Sequence, residues 1–94
     1  SYVKAPLGLH YYQKGEIAKA EKLFVEALKD GVESAEMQYF YGLILYKKQS
    51  NDKEAKIALQ KSLSLDNENA EAHYYLGAVS NRLKEYDRAN VKNA

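Results

Sequence analysis

The stretch "PLGLHYYQKGEIAKAEKLF", residues 6–24, holds two helical patterns on either side of one break. Leu7, Gly8 and Tyr11 share one helical face. After "QKGE" (13–16), Ile17, Ala20, Phe24, Ala27 and Leu28 recur at helical spacing. Gly8 lies close to a helix start marked by Pro6, but its context returns where no start excuses it. "FYG" (40–42) and "YLG" (75–77) repeat "PLG" (6–8) at separations of 34 and 35 residues. A glycine inside a helix costs about 1 kcal/mol relative to alanine. An alanine follows each one at 12, 13 and 12 residues, as Ala20, Ala55 and Ala89, and a large apolar residue comes four further on twice, as Phe24 and Leu59. A glycine that faces an alanine lets two helices of a hairpin approach closely, and the packing gained offsets the propensity lost.

A period of about 34 residues marks a stacked repeat array. It divides the chain into units 1–34, 35–69 and 70–94, each read as two helices. In the second, Tyr41, Gly42 and Leu45 precede the break "KKQSND" (47–52), and Ala55, Leu59, Ser62 and Leu63 follow it. In the third, Leu76 and Gly77 precede "LKEYDRA" (83–89), and a sixth helix is expected from about Tyr86 to Asn93. Gly31 is placed for a left-handed C-cap. Asn51 with Glu54 resembles a capping box, and Asp66, Asn67 and Asn69 are alternative caps for the fifth helix. β-branched residues are few and no stretch alternates, so the class is all-α.

These residues resemble the tetratricopeptide repeat, W-x2-L-G-x2-Y, then A-x3-F, then P. The first unit matches it as Leu7, Gly8, Tyr11, Ala20 and Phe24, with Lys4 in the tryptophan slot and Val32 in the proline slot. The second keeps Gly42, Ala55 and Leu59, and carries one extra residue within 47–53. The third keeps Leu76, Gly77, Tyr86 and Ala89, with Asn93 in the phenylalanine slot. The resemblance implies three stacked antiparallel helix pairs in a right-handed superhelix, the last helix truncated. It also implies a concave groove, lined by the first helix of each pair, that takes a peptide or helix of a partner protein without catalysis.

Offsets from the glycines group the side chains of each first helix, and the resemblance assigns the groups to the groove. The candidates are Leu9, Tyr12, Tyr39, Leu43, Tyr46, Tyr74, Asn81 and Arg82. Tyr2, Glu36 and Glu71 form an acidic rim, and Gln13, Lys47 and Arg82 a basic one, although acids at helix starts and bases at helix ends also complement the helix dipole. Nine tyrosines against two phenylalanines and no tryptophan make an apolar strip with hydroxyls, a composition found in binding hot spots. Packing between units fits Tyr11, Tyr41, Tyr75 and Tyr86; for Tyr39 and Tyr74 packing and groove stand side by side. As groove residues, Tyr39 and Tyr74 would be dispensable for stability, whereas Gly77→Leu would loosen the third unit. The family's clamp for a C-terminal carboxylate would fall on Ala5, Leu9, Phe40, Glu71 and Tyr75, which supply no suitable donors.

The remaining chemistry is sparse. There are no cysteines, hence no disulfide or thiolate-ligated zinc. His10 and His73 are too far apart to form a local metal pair, no fixed acid–base pair is seen, and no cofactor is implied. Net charge is +1, which gives no pull toward nucleic acid. Lys14, Lys19, Lys22 and Lys29 alternate with Glu16, Glu21, Glu26 and Asp30 as a solvated, salt-bridged face. No apolar run reaches the roughly 20 residues of a membrane span. The start lacks the layout of a signal peptide, and the chain reads as a piece of a longer, soluble protein of unknown compartment. The competing reading is a solenoid segment for spacing or oligomerisation, because no polar helix is expected to follow the sixth and an uncovered end near Val91 would invite self-association.

Overall fold

The computed structural model describes the backbone of residues 3–93 and the side chains of residues 3–89. Tyr2 and the side chains of Val91 and Asn93 fall outside the described residues. Five α-helices account for the chain: α1 (Lys4–Gln13), α2 (Ile17–Lys29), α3 (Ala35–Lys48), α4 (Asp52–Leu65) and α5 (Ala70–Asn93). Helices α1 and α2 pair, α3 and α4 pair, and α5 lies along α4; α3 also meets α1, α2 and α5. The all-α stack of helical hairpins expected from the 34-residue period is the fold.

The glycines of the first two units sit where the helices cross. A methyl group built on Gly8 would lie 2.6 Å from Phe24 Cε1, and one on Gly42 would lie 2.9 Å from Leu59 Cγ and 3.2 Å from the Ala55 carbonyl oxygen. Phe24 and Leu59 are wholly buried, as are Ala20, Ala27 and Ala55. Full burial of a side chain the size of Phe24 or Leu59 is worth about 1.5–3 kcal/mol, so a glycine that admits it recovers its propensity cost. Ser62 is also buried and donates its hydroxyl to the Ala35 carbonyl at 2.7 Å, tying the end of α4 to the start of α3.

Local signals set the helix ends. At Gly31, φ is +79°, and the amides of Gly31 and Val32 bond back to the carbonyls of Leu28 and Ala27, which closes α2 in the Schellman manner. Ser34 caps α3 through the Met37 amide. Asn51 Oδ1 accepts from the Glu54 amide at 3.1 Å and caps α4, while its side-chain Nδ2 donates to the Glu54 carboxylate, so the expected pair meets, with the return bond made by the side chain rather than the backbone N–H of a capping box. Of the three possible caps for α5, Asn69 takes the role, accepting from the Ala72 amide. Both reversals are three residues long, 14–16 and 49–51. The extra residue of the second unit therefore lengthens α3, which ends at Lys48 and is capped by Gln49 with φ +55°.

The third unit departs from expectation. No sixth helix turns back at 83–89; α5 runs straight from Ala70 to Asn93. The reversals within the two hairpins each place a residue in the left-handed region, Gly15 at +83° and Gln49 at +55°. "LKEYDRA" contains no glycine to do so and no proline to break the helix, and Asn93 is no large apolar residue to draw a returning helix onto the core. Gly77 consequently faces nothing within 4 Å, and Ala89 is exposed. Tyr86 is exposed too, rather than packed between units. Helix α5 buries Ala72 and Val79 against the second unit and turns His73, Gly77, Asn81, Lys84 and Arg88 to solvent.

Candidate partner-binding groove

The first helices bring aromatic rings from three units into one row. Tyr12 of α1 meets Phe40 of α3 with ring centroids 4.6 Å apart, and Phe40 meets Tyr39 edge-on at 4.9 Å. Tyr75 of α5 then lies 6.5 Å from Tyr39 and 5.6 Å from Tyr46, and Tyr74 abuts Tyr75 at 5.1 Å, nearly perpendicular. Tilted and edge-to-face arrangements at these distances suit the ring quadrupoles. Helical spacing explains the row, because Tyr39 and Tyr46 are two turns apart on α3 and Tyr74 and Tyr75 sit just before the Gly77 position on α5.

The eight sequence candidates differ in how much surface they offer. Tyr74 is 70% exposed, whereas Tyr39 is only 6% exposed and Leu43 is buried. Leu9, Tyr12 and Tyr46 are half-buried at the edge of the core, and Asn81 is exposed. Burial raises the Tyr39 phenol above its ordinary pKa, and its hydroxyl donates to Glu71 Oε2 at 3.1 Å, which raises it further. Tyr39 is therefore a packed inter-unit residue that supports the row from beneath. Tyr41 is held in the same way inside the second hairpin, donating to Glu54 Oε1 at 2.9 Å.

Arg82 is committed within the chain. Its Nε and Nη2 donate to the two carboxylate oxygens of Asp52, each at 2.6 Å, and Nη2 also donates to the Tyr46 carbonyl at 2.8 Å. The guanidinium lies over the Tyr46 ring, 4.1 Å from its centroid, within cation–π range. The hydrogen bonds to Asp52 raise the Arg82 pKa, so its charge is firmly held. Asp52 begins α4, and this bidentate pair pins α5 to the α3–α4 turn. Sequence offsets place Arg82 beside Tyr46, where it lies, but miss Asp52, 30 residues away, as well as Phe40. Tyr75 packs between units as its position implies, yet it also links the two halves of the row.

The charged pairs on the other faces mostly join helices. Lys4, in the tryptophan slot, reaches Asp30 at 3.0 Å, Lys48 reaches Glu21 at 2.7 Å and Lys61 reaches Glu33 at 3.4 Å. Of the alternating α2 charges, only Lys19 pairs locally, with Glu16. A shallow depression along α2, lined by Ala18, Glu21, Lys22, Val25, Glu26 and Lys29, lies apart from the aromatic row and is rimmed by carboxylates already engaged with Lys48 and Lys4. His73 bonds to the Asn67 carbonyl. Among the described residues no three His, Asp or Glu side chains are grouped to hold a metal ion, and no helix is long and apolar enough to cross a membrane.

Paired helices stacked at a 34-residue period, with first helices sharing one aromatic surface, define a helical-hairpin repeat protein. A family model of the tetratricopeptide repeat matches residues 6–69, more than half of the 94 residues, and the chain belongs to that family. Tetratricopeptide repeats mediate protein–protein interaction and are non-catalytic as a family. A comparison with curated proteins finds no match.

Proposed function

We propose that this chain is a non-catalytic interaction module that takes a peptide or helix of a partner protein along the aromatic row of its first helices. The observation that carries this reading is the continuity of the row, from Tyr12 through Phe40 and Tyr75 to the 70% exposed Tyr74. An exposed tyrosine braced edge-on by a second ring offers flat contact area with little side-chain entropy left to lose, a property of interface anchors. Leu9 and Asn81 border the row and belong to the same surface; Tyr39, Leu43 and Arg82 act beneath or beside it.

Peptides selected from a random display library against the 94-residue chain test the proposal. Tyr12→Ala and Tyr74→Ala should each weaken a selected peptide about thirtyfold, the roughly 2 kcal/mol threshold of a hot spot. Ile57→Ala should leave binding unchanged, because Ile57 is exposed on α4, a second helix. Peptides indifferent to Tyr12 and Tyr74 but lost with Ile57 would overturn it.

A further inference from the structure

We infer that the outward face of α5 is a second docking surface, which takes an acidic amphipathic helix of a partner protein in the place that a second helix fills in the first two units. This surface is separate from the aromatic row, and three observations select its occupant. The first is an open seat. Gly8 and Gly42 each receive a large buried side chain, Phe24 and Leu59, from the helix that follows in the chain. Gly77 stands in the same register, 35 residues after Gly42, yet a methyl group built on it meets nothing within 4 Å. Leu76 beside it is only half-buried, whereas its counterpart Tyr41 is buried and bonded to α4 through Glu54. The seat fits a helix that brings one large apolar residue to the glycine, with a small residue one turn before it, as Ala20 precedes Phe24 and Ala55 precedes Leu59.

The second observation is charge. His73, Gly77, Asn81, Lys84 and Arg88 form a line along the outer side of α5 and are all exposed. The line carries two cations and no carboxylate; Glu85 and Asp87 stand about 60° and 100° round the helix from Arg88. Among the described residues neither Lys84 nor Arg88 pairs with an acid, whereas Arg82 on the inner side is held by Asp52. Lys84 and Arg88 lie about 10.5 and 16.5 Å beyond Gly77 along the axis. An antiparallel helix meets them with the residues seven and eleven positions before its apolar one. Acids there fall toward the start of that helix, where its dipole favours them. Helix α4 has the same layout, with Asp52 seven residues before Leu59.

The third is what the chain itself can offer. Its own helices of this pattern, α2 and α4, keep Ala20, Phe24, Ala55 and Leu59 fully buried in their hairpins. Two copies of α5 facing each other along the exposed line would oppose cation to cation with no acid between them. A second copy therefore does not complement this face, and an acidic helix from another protein does.

Fluorescence anisotropy with a fluorescein-labelled helical peptide, about 18 residues of alanine and glutamine, reads the binding to the whole 94-residue chain. The peptide carries glutamate at its third and seventh positions and leucine at its fourteenth and seventeenth. This register sets the first leucine on Gly77, the second on Tyr74 and the acids on Arg88 and Lys84. Saturable binding is expected. Gly77→Leu should abolish it without lowering the melting temperature, because the new side chain starts in open space and leucine favours a helix. Lys84→Glu/Arg88→Glu should weaken it about tenfold, and a peptide with lysine for both glutamates should restore binding to that variant. No saturable binding, or binding that survives Gly77→Leu, overturns the inference. Loss with Tyr12→Ala but not with Gly77→Leu places the peptide on the aromatic row and overturns it as well. A dimer in sedimentation equilibrium without peptide, dissociated by Gly77→Leu, makes a second copy the occupant and refutes the acidic partner. The groove reading is decided by its own display-selected peptides and stands or falls apart from these results.

Discussion

Alanine placed at each helical glycine in turn separates the three units. At Gly77 a methyl group meets nothing within 4 Å, so the substitution should return the full propensity difference of about 1 kcal/mol. For a domain of this size that raises the melting temperature by roughly 4–8 °C. At Gly42 the same gain is opposed by contacts of 2.9 Å to Leu59 and 3.2 Å to the Ala55 carbonyl. Leu59 is fully enclosed and a backbone oxygen cannot retreat, so overpacking of about 1–3 kcal/mol cancels or exceeds the gain. At Gly8 the clash is with the buried Phe24 ring at 2.6 and 2.8 Å, and the loss should be the largest. The expected order of stability is Gly77→Ala, then the parent chain, then Gly42→Ala, then Gly8→Ala. Urea and thermal unfolding followed by circular dichroism at 222 nm measures all four. A Gly77→Ala chain that melts as low as Gly42→Ala would refute the reasoning, because it would mean that a helix returns from "LKEYDRA" to cover Gly77 as the repeat period alone implies.

Three further outcomes follow from the packing. Removing one partner of the enclosed Arg82–Asp52 pair, as Arg82→Met or Asp52→Ala, should cost about 3 kcal/mol, and a double-mutant cycle in urea should show that the pair accounts for much of it; additive losses would refute a coupled pair. Tyr39→Ala should cost about 3 kcal/mol because the ring is buried, while Tyr74→Ala should stay within about 0.5 kcal/mol; this splits two residues whose offsets from the glycines are identical, and equal effects would count against it. Tyr39 and Tyr41 hold their protons more tightly in the folded state, so their contribution is complete below about pH 10 and lost as the pH rises beyond it, where the unfolded chain ionises. The melting temperature should therefore fall steeply above about pH 10, and less steeply in Tyr39→Phe/Tyr41→Phe; an unaltered slope would contradict the assignment.

What the sequence discloses of this fold is what spacing within one hairpin determines. Gly8 against Ala20 and Phe24, Gly42 against Ala55 and Leu59, the Gly31 C-cap and the Asn51–Glu54 box all lie within a few turns of one another, and each is legible. The straight course of α5 is not, because the period marks Tyr86 and Ala89 as second-helix positions without supplying what reverses a chain. The two hairpin reversals each use a residue in the left-handed conformation, Gly15 and Gln49, and an apolar side chain, Phe24 or Leu59, that holds the return on the core. Residues 83–93 provide neither a glycine nor a counterpart of Phe24 or Leu59.

The groove shows the same division more sharply. Offsets from glycine specify a direction around the helix, and Tyr12, Tyr46, Tyr74 and Arg82 all lie in or beside the row of rings. They are silent about what else arrives there. Tyr39 and Tyr74 share an offset, yet Tyr39 is enclosed beside α5 while Tyr74 is 70% exposed among the described residues. Arg82 points toward the groove and is then claimed by Asp52, a residue whose own position is set by the turn it opens. A cation on the binding face thus becomes a fastening for Tyr46 rather than a contact for a charged ligand. On the proposed groove, the chemistry left to a partner is that of the rings and the hydroxyls not already bonded within the chain, and this follows from the subtraction of Arg82 and Tyr39 more than from the tyrosine content itself.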